Sequence, residues 1–386
     1  MNKTTASNIH VMIDVSSVPY GRGVSRYTSN VVQSLVEQPG LALHLLGYSL
    51  RQQATLRAWM NQFGSTVDST LLPLPPSGLH RLWQSVGMPQ PQWIAPGLDV
   101  YHAWDWQLAP VGSVPQVVTI HDLAYRLYPE TAHPKVVAMY DRLLATLERH
   151  PEIQIIAVSE STKKDIVNLT AIPPEQVTVI YEALPREAQY VPSEQEVTAV
   201  KKNLPGTKPF LLTVGTTEPR KNLRRVIAAW EKIRDQFDLY IVGAEGWDEL
   251  PQSEGIHYMG YVDSARLASL YRLAHALVYV SLYEGFGLPI LEAYFHGCPV
   301  VTSQVSSMVE IAGPGAELVD PYNVAAIAEA CQSIEASDSL ARKKRVAKMQ
   351  QTLDTFSWDQ AAAETKQVYQ WSKREAKGTH AVHHWN

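Results

Sequence analysis

Residues 281–303 read SLYEGFGLPILEAYFHGCPVVTS, and they follow Ala276 to Ser281 (ALVYVS), which is apolar or aromatic everywhere but its last position. That composition is expected of a strand buried on both faces. A Gly-Phe-Gly turn, Gly285 to Gly287, comes next. Pro289 then stands where a first helical position belongs, since its φ is already fixed and its missing N–H costs nothing there. The helix predicted over Pro289 to His296 stops at Gly297, a left-handed cap, and Pro299-Val300-Val301 opens another strand. Strand, glycine turn, helix and strand make one parallel α/β unit. Two carboxylates, Glu284 and Glu292, bracket the turn. At a rise of about 1.5 Å per residue, Glu292 lies only about 4–5 Å along the axis from Pro289. Both acids are therefore expected to face a helix N-terminus that favours a phosphate, and to bind hydroxyls beside it.

The sequence before this stretch has the same grammar. Phe210 to Val214 (FLLTV) reads as a strand, GTTEPRKN over 215–222 as its loop, and the next helix sets Leu223, Val226, Ile227, Trp230 and Ile233 on one face. Asn222 is a good N-cap residue type. Arg220 and Lys221 then add formal charge to a helix end that already attracts anions. Leu239 to Val242 is a further strand ending at Gly243, and Met259-Gly260-Tyr261-Val262 leads into a helix over Ser264 to Ala274. The basic run Ala341 to Lys348 (ARKKRVAK) reads as a solvated helix face, with contact to an anionic membrane as the lesser reading. Ser357-Trp358-Asp359-Gln360 has the capping-box pattern of a helix running to about Lys373.

The first half repeats the theme. Ile9 to Val15 (IHVMIDV) is a buried strand, followed by Gly21-Arg22-Gly23 and a helix over Ser25 to Glu37 carrying Val31, Val32, Leu35 and Val36. A glycine loop between strand and helix can cradle phosphate. The dinucleotide fingerprint fits poorly, because Arg26 replaces its third glycine and Leu41 to Tyr48 ends without an acid. Leu72 to Pro91, crowded with proline, is expected to be a long surface loop. Val100 to His102 and Gln116 to Ile120 are short strands, the second ending in His121-Asp122, and His102 is assigned a structural role. An amphipathic helix over Lys135 to Arg149, a strand over Ile153 to Val158, a helix over Lys163 to Leu169 and the segment Val177 to Ile180 complete this half. Periodicity fades across Leu184 to Pro209. The expected domains are thus residues 1–190 with a closing helix in 357–386, and residues 191–356.

The chain has 386 residues, 45% hydrophobic and 18% charged, with net charge −5. That suits two soluble domains and argues against a nucleic-acid protein. Cys298 and Cys331 are too few for a disulfide framework or a thiolate metal site and fit a reducing compartment. No apolar run approaches bilayer length, and the N-terminal MNKTTASN has no apolar core of a secretory signal. The expectation is a cytoplasmic protein.

SLYEGFGLPILEA resembles the E-x7-E signature of the retaining glycosyltransferases of family 4, which have the GT-B fold. GTTEPRKN is similar to that family's diphosphate-gripping loop, GVSRYTSNVV to its N-domain glycine loop, and VVTIHDLAYRLYPE to its histidine-bearing strand end. The resemblance implies two facing Rossmann-like domains with the donor in the cleft, and a C-terminal helix that crosses back to the N-domain. It implies that Arg220 and Lys221 stabilise the departing diphosphate, that Glu292 holds the ribose, and that Glu284 and His121 contact the donor sugar. It places Gly21, Gly23, Gly215, Tyr261, Val262, Gly285, Phe286, Gly287 and Leu288 around the donor. No D-x-D metal grip is visible, so neither a metal nor another cofactor is expected. The commoner family wording has Arg where this chain has Thr216, which puts a third cation in doubt. This variant resembles a subset rich in bacterial polysaccharide mannosyltransferases. Mannose from GDP-mannose is the first expectation, and a glucose-type UDP-sugar the second. A saccharide or lipid-linked saccharide acceptor would bring the enzyme to the inner membrane face. The readings from other classes are a nucleotide-sugar epimerase of the same fold and an inactive glycan-binding scaffold.

Overall fold

The computed structural model describes residues 8–21, 23–104, 107–246, 248–334, 340–376 and 378. The first seven residues, Arg22 of the glycine turn and most of the His-bearing tail lie outside them. The chain divides into two units, one of Met1–Leu123, Pro134–Glu182 and Trp358–Asn386, the other of Ala124–His133 and Ala183–Ser357.

The first unit carries β1 (Ile9–Asp14), β2 (Leu41–Tyr48), β3 (Asp68–Leu72), β4 (Val100–Trp104), β5 (Gln116–Ile120), β6 (Gln154–Ala157) and β7 (Val177–Val179). They form one parallel sheet in the order β3-β2-β1-β4-β5-β6-β7. The second unit carries β8 (Phe210–Val214), β9 (Asp238–Val242), β10 (Ile256–Gly260), β11 (Ala276–Tyr279), β12 (Val300–Ser303) and β13 (Glu317–Val319). Its parallel order is β10-β9-β8-β11-β12-β13. Strands β4, β5, β6, β9, β11 and β12 are buried along their whole length, as expected where helices cover both faces. Both sheets reverse direction beside their first strand, between β1 and β4 and between β8 and β11. Open α/β sheets bind ligands at such switch points, beyond the carboxyl ends of the strands.

Three local expectations are corrected. Leu72 to Pro91 is not one loop: Pro76–Ser85 is a helix that buries Leu79 and Trp83. Its prolines mark the first helical turn, a position they share with loops. Leu184 to Pro209 contains the helix Glu194–Lys202, opened by a capping box between Ser193 and Glu196. Asn222 is not a side-chain N-cap; it adopts a left-handed conformation (φ 60°), and its Nδ2 donates to Val280 O (2.9 Å) and Pro321 O (2.7 Å). The basic run lies on the helix Leu340–Leu353, mostly exposed, with Met349 and Thr352 turned inward.

The closing helix Trp358–Glu375 packs into the first unit. Tyr369 OH meets His102 Nδ1 at 2.5 Å, and His102 Nε2 meets Thr119 Oγ1 at 2.9 Å. Burial, reinforced by His121, depresses the His102 imidazole to about 3, so it is neutral and structural as expected. An unfolded histidine takes up a proton below about pH 6.5, which the folded one refuses until about 3. The linked stability is present above 6.5 and is lost as pH falls between these values. Tyr369→Phe should leave one buried imidazole nitrogen without its partner and cost about 1–3 kcal/mol, read as a lower denaturation midpoint at neutral pH. An unchanged midpoint would show that the closing helix does not depend on this bond.

Candidate active site

At the β8–β11 switch point the loops after the two strands are tied by charge. Pro219–Lys221 forms a single 3-10 turn before the helix Leu223–Glu231. Arg220 Nη1 lies 2.8 Å from Glu284 Oε2, and Lys221 Nζ lies 2.7 Å from Glu284 Oε1. Arg220 also donates to Tyr283 O at 2.7 Å, and Leu282 N donates to Arg220 O at 2.9 Å. Glu218 stands 3.5 Å from Arg220 Nη2, and Lys221 reaches Tyr279 OH at 3.4 Å. The three charged side chains Arg220, Lys221 and Glu284 are all largely buried. Burial pushes the Glu284 carboxyl up, but the Arg220 and Lys221 charges and the Lys221 hydrogen bond outweigh it and hold it at about 2.

The turn carrying Glu284 is fixed from behind. Ser306 Oγ and Ser307 Oγ donate to Glu284 O at 2.6 and 2.9 Å, and Ser307 Oγ also lies 2.6 Å from Phe286 O. Gly287 takes φ 123° as the residue before the helix Leu288–Phe295, a conformation that favours glycine. Pro289 is thus the second helical residue, and Gly297 has the expected left-handed φ of 72°. Phe286 and Leu288 bury their side chains. Glu292 is buried and accepts from Tyr271 OH at 3.0 Å. The two acids therefore differ: Glu284 neutralises cations, whereas Glu292 meets a hydroxyl.

Beside the cation loop, the loop after β9 lies against the loop after β8. A Cβ at Gly243 would stand 2.0 Å from Gly215 O, and one at Gly246 would stand 2.2 Å from Thr217 O. Only glycine permits that approach. The two loops and the end of β10 enclose a cavity of about 500 Å³ that includes Thr217, Gly243, Gly246, Met259 and Gly260. Val262 is buried and Tyr261 is 86% exposed, immediately beyond this cavity's last strand.

In the first unit, Gly21 takes φ 65° after the turn Val18–Tyr20, and Gly23 is the first residue of the helix Gly23–Val36, two residues before the predicted start. His121 follows β5 and is buried, with the Tyr27 ring edge-on at 4.9 Å and its carbonyl accepting from Thr162 Oγ1 at 3.1 Å. Near it is Glu182, an acid that no sequence pattern singled out. Burial raises its carboxyl to about 7, against the lowering charges of His121 and Arg26. Tyr279, Tyr271, Ser306 and Ser307 were likewise missed, because their partners are distant in sequence. Strand ends and a serine pair were the only signals available.

Known protein families match both halves of the chain. The model of the Glycosyltransferase Family 4 domain matches residues 21–187, and that of Glycosyl transferases group 1 matches residues 194–351. O-antigen chain mannosyltransferase B of Escherichia coli is 32% identical over 286 residues, which cover 70% of this chain and 74% of that one. The chain belongs to glycosyltransferase family 4. It is a glycosyltransferase of GT-B fold. Serotype-specific mannosyltransferase WbdA of Escherichia coli is 28% identical over 273 residues, covering 66% of this chain but only 33% of that longer protein. Anabaena Alr3699/HepE, solved in complex with UDP and glucose, superposes with a TM-score of 0.65 at 16% identity, over 94% of this chain and 99% of that one.

Glu284→Gln removes the charge that two largely buried cations share. Loss of one partner from such a cluster costs about 3–5 kcal/mol, so the variant should melt well below wild type. A melt within one degree of wild type would show that the three charges are independent.

Proposed function

We propose that this family 4 enzyme transfers mannose from GDP-mannose, with retention, to a saccharide or lipid-linked saccharide acceptor. The observation that carries the reading is the Arg220–Lys221 pair held by Glu284 at the β8–β11 switch point. The chemical need in such a transfer is to stabilise a departing diphosphate, and preorganised cations at a strand end meet it without reorganisation. In this proposal the diphosphate takes over Arg220 and Lys221, which frees Glu284 to contact the donor sugar. Glu292 holds the ribose hydroxyls, and the cavity beside Gly243 and Gly260 takes the base. His121, at the end of β5, contacts the donor sugar. Gly21, Gly23, Gly215 and the Gly285-Phe286-Gly287-Leu288 turn contribute backbone. Mannose is favoured by the GTTEPRKN wording and by the mannosyltransferase names of the relatives. Among the described residues no helix is long and apolar enough to cross a membrane; contact with an inner membrane face is proposed through the acceptor.

Arg220→Ala and Lys221→Ala should each lower kcat by about a hundredfold or more, since removing one preorganised donor commonly costs that much. Turnover of labelled GDP-mannose, with UDP-glucose in parallel, measures this. Near-wild-type rates in both variants would sink the assignment, and preference for UDP-glucose would move the donor to the second expectation. Because side-chain cations supply the charge in this proposal, activity should persist in excess chelator; its abolition there would contradict the role given to Arg220 and Lys221.

A further inference from the structure

Glu292 stands on the helix Leu288–Phe295 among Ile290, Leu291, Ala293 and Tyr294, all buried, and is itself only 2% exposed. Staggering restricts the first two side-chain torsions of a glutamate, but the last, which sets the plane of the carboxylate, is broad. An acid that must present both oxygens in one direction therefore needs that plane set from outside. Tyr271 supplies such a contact, its OH donating to Glu292 Oε2 at 3.0 Å.

The phenol is itself held from several sides. Tyr271 is 1% exposed and lies in the last turn of the helix Ser264–Leu273, whose start is capped by Asp263 accepting from Arg266 N at 2.8 Å. The next residue, Arg272, donates to Pro192 O at 2.8 Å and meets Glu194 at 2.6 Å, which anchors that turn. The Tyr271 ring is stacked on the His296 imidazole, with 12° between planes and 5.8 Å between centroids, and His296 donates to the Ala188 carbonyl. His296 follows Glu292 by one helical turn, so the acid and the stacking ring meet Tyr271 from one face of their helix. A group locked by packing in this way can lock the group it bonds. A neutral O–H also orients a carboxylate without cancelling its charge, and Oε2 keeps a lone pair for a second donor.

We propose that Tyr271 is a positioning residue that makes Glu292 selective for a vicinal diol. Resting on the assignment of Glu292 to the donor ribose, this role names what the acid reads: the 2′- and 3′-hydroxyls together, one on each carboxylate oxygen. Loss of the phenol O–H leaves the charge in place but lets the carboxylate turn. It therefore weakens the ribose contact and spares those made to phosphate and base.

The test measures Kd for GDP and 2′-deoxy-GDP, and for UDP and 2′-deoxy-UDP, since ribose is common to both donor classes. The samples are the full chain, Tyr271→Phe, Glu292→Gln and the double variant. Wild type should prefer the ribonucleotide at least about tenfold. Tyr271→Phe should cut this preference to about threefold or less while changing affinity for the 2′-deoxy analogue by no more than about twofold. The double variant should lose no more than Glu292→Gln alone, as expected of two residues acting through one contact. In turnover, Tyr271→Phe should raise the donor KM by its loss of ribonucleotide affinity and leave kcat within about twofold. The preference is a ratio taken within each variant, so a lowered melting midpoint does not obscure it. Equal weakening of ribo- and 2′-deoxynucleotide in Tyr271→Phe would make Tyr271 a packing residue and overturn the proposal. An unchanged preference, or an additive loss in the double variant, would overturn it as well. Failure of the donor reading shows differently, as no binding of either nucleotide by wild type, and would remove this role with it.

Discussion

One carboxylate, Glu284, holds the second unit's switch point together. Arg220 and Lys221 are neighbours on one 3-10 turn, and two adjacent cations repel each other wherever they are drawn out of water. Glu284 gives each its own oxygen, at 2.8 and 2.7 Å, and does so from the loop after β11 rather than the loop after β8. The interaction therefore joins adjacent strands on either side of the reversal in strand order. Burying three charges is costly, and it is sustained here because each is hydrogen-bonded as well as paired. The arrangement has a chemical consequence. Glu218 adds only a longer contact, 3.5 Å from Arg220 Nη2, so a more highly charged anion can replace Glu284 between the two cations without rebuilding the walls.

The cation loop is fixed on its other side by backbone alone. Gly243 and Gly246 bring the loop after β9 so close to Gly215 and Thr217 that no side chain fits between them. Thr217 N donates to Ala244 O at 3.2 Å, and Gly246 N donates to Thr217 Oγ1 at 2.6 Å. The departure at Thr216 acquires a physical setting here. Its Cγ2 lies where a Cβ at Gly246 would come within 3.1 Å, so this position is occupied by packing between loops. Charge on one flank and close backbone contact on the other leave Arg220 and Lys221 little freedom, which is what preorganisation requires.

Much of this is legible in the sequence. Strand, glycine turn, proline and helix over 276–297 could be read directly, because each boundary depends on a residue whose backbone preference is intrinsic. The helix Pro76–Ser85 could not, since proline at a first turn and proline in a loop look alike in sequence. Asn222 shows the opposite failure. Its residue type suits an N-cap, but two carbonyls at Val280 and Pro321 claim its amide, and tertiary demand overrides local preference. Glu284 was legible as a functional acid and not as the partner of Arg220 and Lys221, because the contact spans more than sixty residues. Glu182 was invisible: its elevated proton affinity comes from burial, which no local pattern encodes.

The two sheets share a strand order and yet carry different chemistry at their reversals. In the second unit the reversal carries formal charge on loops beyond β8 and β11. In the first, β1 ends in Asp14, whose carboxyl burial raises despite hydrogen bonds from Ser16 and Tyr48, and Trp104 at the end of β4 donates to Asp14 O at 2.5 Å. Behind it, Thr119, His102 and Tyr369 form a buried network with a neutral imidazole. These polar groups are buried and satisfy one another, whereas the cations of the second unit keep their formal charge against Glu284. Topology alone assigns both reversals as ligand sites, and it assigns them equally. What distinguishes the two reversals is which side chains the loops place there, and how far burial lets each keep its charge.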